Sequence, residues 1–517
     1  MKILLFYPPI TIHFDDTTQP ALTEPLGISY IASYIESKGY NVSIIDALAE
    51  GFENRIITKN SIRFGLSETQ IIEKIKYYNP DIVGISIMFT SFSQDAHDLA
   101  KLIKKINNKI IVVLGGAHAS VAPKNILKDK NIDIVVIGEG EETFLEIIKK
   151  FEKKQKLTNI LGTATKINKK IIINKPRPFI KNLDTIPFPA RNLLPMDLYL
   201  RNTSLYDIRH PTVSMFTSRG CPNNCIYCAV PGIWGRLWRP FSAIRVVDEI
   251  EFLIKRYGYR EVHFLDDNIS IDRNRLNQIC DLIIKRKIDI KWTCPNGIAI
   301  WTLDKQLLKK MKKSGCYRLT FGIESGSINT QKFIRKNLNL DKANQIIKLA
   351  NKLGFWTFST YIIGFPYESN QDLNKTINHA LNSYTDFVAF ILLMPFPGTD
   401  ITSIMIKEKL IKANSLFSTK IGAFYSGYKS VGNKYFSSLD LKQIQDKAHK
   451  RLLFSRLIRP LFNPAVILNK LKNYEDFRYL LKILSNYFSM LTSTIKLKEF
   501  KTHRVKQAIN LNIINRK

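Results

Sequence analysis

Cysteine is scarce in this 517-residue chain, six in all, too few and too unevenly placed for a disulfide framework. Long apolar runs are missing too. No stretch of about 18 uninterrupted apolar residues occurs, which argues against a membrane-spanning helix. The opening MKILLFYPPI is too short an apolar run for a secretory signal and lacks its small-residue cleavage site. Neither a G-x-G-x-x-G fingerprint nor a Walker loop is found, which weakens nicotinamide and nucleoside-triphosphate readings. Acidic residues are few, 44 against 77 Lys and Arg, for a net charge of +33. That charge invites a nucleic-acid reading. Lys, Ile and Asn abound along the whole chain, however, and no RNA-binding module accompanies them, so nucleic acid is not the expected partner.

What is present describes a folded chain of two or three domains. Residues 1–150 alternate short apolar runs with helical segments. KILLFYPP, NVSIIDA, DIVGISIMFT, KIIVVLGGAHA and IDIVVIGEGE read as strands, and LGISYIASYIESKGY as an amphipathic helix ending at Gly39. Continuous β-branched runs between helices predict an α/β, doubly wound parallel sheet, with ligands outside the carboxyl ends of its strands. At those ends stand Tyr7, Pro8 and Pro9, then Ser86, Met88 and Thr90, then Gly115, Gly116 and His118, then Gly138, Glu139 and Gly140.

A polar, Pro-rich connector over 151–205 follows. Over 206–410 a second alternation sets in, with TVSMFTSR, EVHFLDD, IKWTCPNG, RLTFGIES, FWTFSTYIIG and FVAFILLMPF as strands. Six such units predict a partial (β/α)6 barrel with its chemistry at the carboxyl ends of the strands. A mainly helical, basic region over 411–517 closes the sequence.

Three of the six cysteines crowd into SRGCPNNCIYCAV, just after the first barrel strand: Cys221, Cys225 and Cys228, spaced C-x3-C-x2-C. Structural zinc takes four ligands, usually in two pairs, and no second pair stands at suitable spacing. A cubane iron–sulfur cluster held by three thiolates keeps one iron open to a substrate. With Tyr227 before its last cysteine, the run resembles the cluster motif of the radical S-adenosylmethionine (SAM) superfamily. FLDDN (Asp266, Asp267, Asn268), FGIESGS (Glu324, Ser325), IIGFPYE and MPFPGT, at later strand ends, extend the resemblance. It implies a 4Fe-4S cluster whose open iron chelates SAM, cleavage to a 5′-deoxyadenosyl radical, and a flavodoxin- or ferredoxin-type reductant. It also implies SAM contacts from Tyr227, Asp266, Asn268, Glu324 and Ser325. An ionised carboxylate such as Glu324 can accept from ribose hydroxyls or the methionyl ammonium; Asp266 and Asp267 also admit a plainer reading as helix caps. A Gly-Gly-Glu run after the second barrel strand is lacking, which leaves open what holds the ammonium.

Ahead of such a barrel, PLGISYIASYIESKGYNVSIID, VGISIMFT, LGGAHAS and IGEGEETF resemble the cobalamin (B12)-binding subfamily of these enzymes, over about residues 1–410 in all. The resemblance implies that Ser86, Met88, Thr90, Gly115, Gly116, His118, Glu139 and Gly140 touch the corrin or its nucleotide tail. Many such domains carry D-x-H-x-x-G with a histidine beneath the cobalt. Here DAHDLA, from Asp95 to Ala100, lacks the glycine and starts a helix, so His97 is expected to be an ordinary exposed helix residue. The implied activity is methylation of an unactivated carbon in a lipid or isoprenoid, a tetrapyrrole or a secondary-metabolite precursor. Oxidative ring closure and RNA modification are the alternatives, the latter weakened because Cys221 is the first cysteine.

Cys280, Cys294 and Cys316 read as small buried hydrophobes, with a radical-quenching or methyl-carrying thiol as the alternative. From Lys450 on, Arg451, Arg456, Arg459, Lys470, Lys472, Arg478, Lys482 and seven more Lys and Arg from Lys496 to Lys517 outnumber the acids. Interleaved with apolar residues at helical spacing, they read either as a cap on the barrel or as helices lying on an anionic membrane. The expected setting is the cytoplasm, with peripheral contact at the inner face of the membrane as the second reading.

Overall fold

The computed structural model describes residues 1–13, 22–58, 61–201, 207–413, 416 and 431–485. In the first unit the five expected strands form one parallel sheet, ordered Val42–Asp46, Ile3–Tyr7, Ile82–Ser86, Ile111–Gly115, Ile134–Val136. Their continuous apolar character follows from burial on both faces, with separate core clusters on each side of the sheet. Strand order reverses between Ile3–Tyr7 and Ile82–Ser86, so the ligand crevice of such a sheet opens beyond Tyr7 and Ser86.

Two features depart from the expected layout. Thr163–Ile167 and Lys170–Ile173, inside the stretch read as connector, add two antiparallel strands at the sheet's edge, which carries this unit past residue 150. Asn168 and Lys169, with φ of 47° and 65°, make the tight hairpin between them. A small antiparallel sheet of Ile10–His13, Ser61–Phe64 and Arg55–Ile57 also packs here; its strands of three or four residues leave no periodic signal. His97 is half-buried, not exposed, because its Nδ1 lies 2.8 Å from Asp129 Oδ2.

The second unit is a sheet of six parallel strands in chain order: Thr212–Met215, Glu261–Phe264, Lys291–Cys294, Cys316–Glu324, Trp356–Ile363 and Phe387–Leu392. Its helices start at side-chain caps, for example Asp272 ahead of Arg273–Lys285 and Asp304 ahead of Lys305–Lys313. Alternation along each strand sends Val213, Val262, Phe264, Leu319 and Phe321 to the helix-packed core. Ser214, His263, Thr293 and Thr320 take the other, lumen-facing side.

The C-terminal region is helical where described, with Ser438–Phe462, Ala465–Leu468 and a further helix beginning at 474. Part of its charge is spent as the cap reading expects, while Arg451, Lys472 and Arg478 stay exposed. Arg456 donates to the carbonyls of Leu381, Ala380 and Ser383, and buried Lys470 pairs with Asp386 at 3.0 Å. Those cations face the barrel, not an outer surface; Lys496 to Lys517 lie outside the described residues. No helix among the described residues is long and apolar enough to cross a membrane.

The two units meet through buried ion pairs. Arg191, from the connector, donates to Glu24 of the first unit (2.7 Å), to Glu249 of the second (2.9 Å) and to the Ser214 carbonyl (2.9 Å). Tyr259 also donates to Glu24, at 2.7 Å. Charges so buried add little net stability but fix one relative arrangement, since a shifted interface would strand them.

Candidate active site between the two units

The cysteine loop leaves the first barrel strand through Gly220, whose φ of 85° no other residue adopts cheaply. An added Cβ there would lie 2.4 Å from the Leu237 carbonyl oxygen. The middle of the loop is pinned by its backbone: Ile226 N donates to Ile334 O (3.2 Å), and Ile401 N donates to Ile226 O (3.0 Å). Cys221, Cys225 and Cys228 are unbridged and half-buried. Burial pushes the Cys228 thiol up to about 12 and the Cys221 thiol in the same direction. Among the described residues, the one trio of His, Cys, Asp or Glu ligand atoms closing to within 4.8 Å is Asp207, Glu261 and His263. The Asp207 trio lies at the far end of the barrel, where Glu261 already accepts from Tyr317 and from the backbone of Ile208 and Arg209.

Glu324 ends the fourth barrel strand beside this loop. It is a non-glycine residue at φ 66°, a conformation that costs about 1–3 kcal/mol and persists where the surroundings enforce it. Lys336 Nζ holds its Oε1 at 3.0 Å and reaches the Tyr227 hydroxyl at 3.5 Å; Thr360 donates to its Oε2 at 3.4 Å. Gly322 makes room for the pair, for a Cβ there would stand 2.5 Å from Glu324 Oε1 and 2.9 Å from Lys336 Nζ. Lys336 and Thr360 carry no motif of their own, and sequence reasoning passes over both.

The other expected SAM contacts are otherwise engaged. Buried Asp266 accepts from Thr217 N (2.9 Å), Thr217 Oγ1 (2.7 Å) and Ser218 Oγ, so it clamps the base of the cysteine loop. Asn268 Oδ1 accepts from Ser270 and from Ala299 N, and Ser325 Oγ pairs with Thr376 and accepts from Ser327 N. In this structure all three side chains brace the loops around the site. Asp267 is no helix cap, since Asp272 fills that place. Burial, with the neighbouring Asp266, raises its carboxyl to about 6, opposed by the nearby Gly220 N–H.

On the first unit, Ser86, Met88, Thr90, Gly115, Gly116 and His118 do gather, along the carboxyl ends of two adjacent strands. Thr90 Oγ1 and His118 Nδ1 share a hydrogen bond of 2.9 Å, and burial lowers His118 to about 4, which keeps it neutral. Met88 remains 47% exposed. The helix Ala117–Val121 after these glycines packs on Val230–Trp234, the helix that follows Cys228. The crevice of the first sheet and the cysteine loop therefore border one cleft. Glu139 and Gly140 follow the fifth parallel strand, where the two units touch. Glu139 accepts from Arg219, Arg239 and Ile180 N, and a Cβ at Gly140 would strike Ile31 at 2.6 Å. Cys280, Cys294 and Cys316 are fully buried in the helix-packed core with their thiols raised by burial, as small hydrophobes, and unlike nucleophiles, which need a lowered pKa.

Comparison with known proteins agrees with this division. A B12 binding domain model matches residues 17–148, and a radical SAM superfamily model matches residues 215–380. An uncharacterized methyltransferase of Pyrococcus horikoshii is 35% identical over 454 residues, 87% of this chain and 92% of that protein. A cytidylyl-2-hydroxyethylphosphonate methyltransferase of Streptomyces wedmorensis is 32% identical over 444 residues, 79% and 82% of the two chains. The fold matches the cobalamin-dependent SAM radical enzyme OxsB, solved with aqua-cobalamin and SAM bound, with a TM-score of 0.68 over 94% of this chain and 71% of that one, at 15% identity.

Proposed function

The chain belongs to the cobalamin-binding radical SAM enzymes, and on that premise we propose that it is a methyltransferase acting on carbon. Its cofactors are a 4Fe-4S cluster, SAM and cobalamin. The observation that carries the reading is the likeness, at 35% and 32% identity across most of their lengths, to two methyltransferases. When bound, these groups supply a 5′-deoxyadenosyl radical for hydrogen abstraction and a methyl group for transfer.

The protein's own part is to hold and to exclude. Cys221, Cys225 and Cys228 are the ligands on offer to the cluster. Lys336 suits the SAM carboxylate as a fixed cation, and Glu324 suits the ammonium or the ribose hydroxyls, each a charge-assisted hydrogen bond. Ser86, Met88, Thr90, Gly115, Gly116 and His118 suit the corrin. Its substrate is a small molecule entering the barrel lumen. The lumen-facing Ser214 and Thr320 favour one with hydrogen-bonding groups over a bare hydrocarbon skeleton, and the cytidylyl phosphonate named for the Streptomyces relative is of that kind.

The test is anaerobic turnover, with SAM carrying a deuterated methyl group, against a panel of hydroxylated and phosphonate-bearing metabolites and tetrapyrroles. A product heavier by one labelled methyl supports the proposal. A product lighter by hydrogen, with no label gained, would replace it with ring closure.

A further inference from the structure

We propose that Arg219 is the positioning residue that sets the cysteine loop against the cobalamin domain. It stands two residues before Cys221 and is 5% exposed. Its guanidinium donates through Nη1 to Glu139 Oε1 at 2.8 Å and through Nη2 to Glu141 Oε1 at 2.6 Å. Both carboxylates belong to the first domain, at the turn and helix after its fifth parallel strand. The same guanidinium lies 5.5 Å from the ring centre of Tyr30, on the first domain's helix Leu26–Glu36, and 5.2 Å from that of Trp234, six residues beyond Cys228. One planar cation therefore touches both ends of the cysteine loop and three side chains of the other domain. Arg239 reinforces it by donating to the same Glu139 oxygen at 2.8 Å and to the Ile180 carbonyl at 2.7 Å.

Stability alone does not ask for this arrangement. Apolar side chains of the same volume would fill the interface without the desolvation cost of two guanidinium groups and two carboxylates. What a rigid fork between two carboxylates and two aromatic rings supplies is geometry, because neither partner can slide without breaking a directional contact. The cluster and the corrin are carried by different domains and must share one cleft at a set separation. Arg191 holds the two units in one arrangement, and Arg219 is where the cysteine loop itself is set within it.

The inference rests on the cofactor set and not on methyl transfer, and its test needs no substrate. The full chain, reconstituted with cluster and cobalamin, is reduced with dithionite, and the relaxation of the paramagnetic corrin by the reduced cluster is followed by electron paramagnetic resonance power saturation. This relaxation weakens steeply with distance. Arg219→Gln is expected to keep full iron and corrinoid while the half-saturation power falls several-fold, and Arg219→Lys to recover part of the loss. Unchanged relaxation in Arg219→Gln with both cofactors retained would overturn the proposal. Should Arg219→Gln shed its cluster, Glu141→Gln decides, because it leaves the cysteine loop's own sequence intact. A several-fold fall there supports the positioning role, and wild-type relaxation rejects it. Failure to find a methylated product touches neither outcome.

Discussion

Lys336 Nζ lies 3.0 Å from Glu324 Oε1 and ties a strand-end carboxylate to the tyrosine of the cysteine motif, 3.5 Å away on its other side. Tyr227 of the cysteine loop thus meets Glu324 and Lys336, from the end of the fourth barrel strand and the segment after it, at one centre. If that centre receives SAM, Lys336→Met and Glu324→Gln each lose one charge-assisted hydrogen bond. Such a bond is worth about 1.5–3 kcal/mol, so SAM should bind about 10- to 150-fold more weakly. Equilibrium binding to the reconstituted protein, with iron content as the control, checks this; unchanged affinity in both variants would remove the pair from the SAM site.

Gly322→Ala probes the same centre without touching a charge. The new methyl would crowd Glu324 Oε1 and Lys336 Nζ at 2.5 and 2.9 Å, and the flexible lysine is the group that can give. Weaker SAM binding with an unaltered melting transition is expected. A collapse of stability would mean that the glycine serves the strand and not the site.

Among the cysteines, the two classes should separate cleanly. Alanine at Cys221, Cys225 or Cys228 should abolish iron retention and SAM cleavage. Serine at Cys280, Cys294 or Cys316 should leave both intact and cost only stability, since those thiols sit in the apolar core. Iron and sulfide analysis after anaerobic reconstitution decides it.

Asp266→Ala strips three hydrogen bonds from the base of the cysteine loop and leaves their buried donors unsatisfied. The expected cost is about 3 kcal/mol or more, read as a lower urea midpoint. A variant as stable as wild type but defective in SAM binding would assign Asp266 to the ligand contacts instead.

Glu368, at the fifth barrel strand's IIGFPYE run, is 2% exposed, and burial raises its carboxyl to about 8 from 4.5, opposed by hydrogen bonds from Gly364 and Phe365 and aided by Asp372. Between those values the folded chain keeps a proton that the unfolded chain has released. This contribution to stability is therefore complete below pH 4.5, falls as pH rises to about 8 by up to about 1.4 kcal/mol per pH unit, and levels off above it. Glu368→Gln should be flatter over that window in denaturant titrations. Equal slopes in the two proteins would show that the carboxyl titrates elsewhere.

The order of elements and the candidate cluster ligands are legible because their signals are local. Six parallel barrel strands follow from apolar runs spaced by helices, and the thiols of Cys221, Cys225 and Cys228 lie within eight positions. Short antiparallel strands such as Lys170–Ile173 were not legible, being too brief to show a period.

What each polar side chain does is a different matter, because a carboxylate's role is set by which donors the fold brings to it. Asp266, Asn268, Ser325 and Glu139 stand in the motifs, and only the fold shows which partners within the protein each one holds. Lys336 stands in no motif, yet meets Tyr227 across 109 positions of chain. The sequence by itself determined the cofactor class and the two-unit plan. Only the tertiary structure decided which charges were left facing the cleft, since hydrogen bonds form between neighbours in space and sequence names neighbours only along the chain.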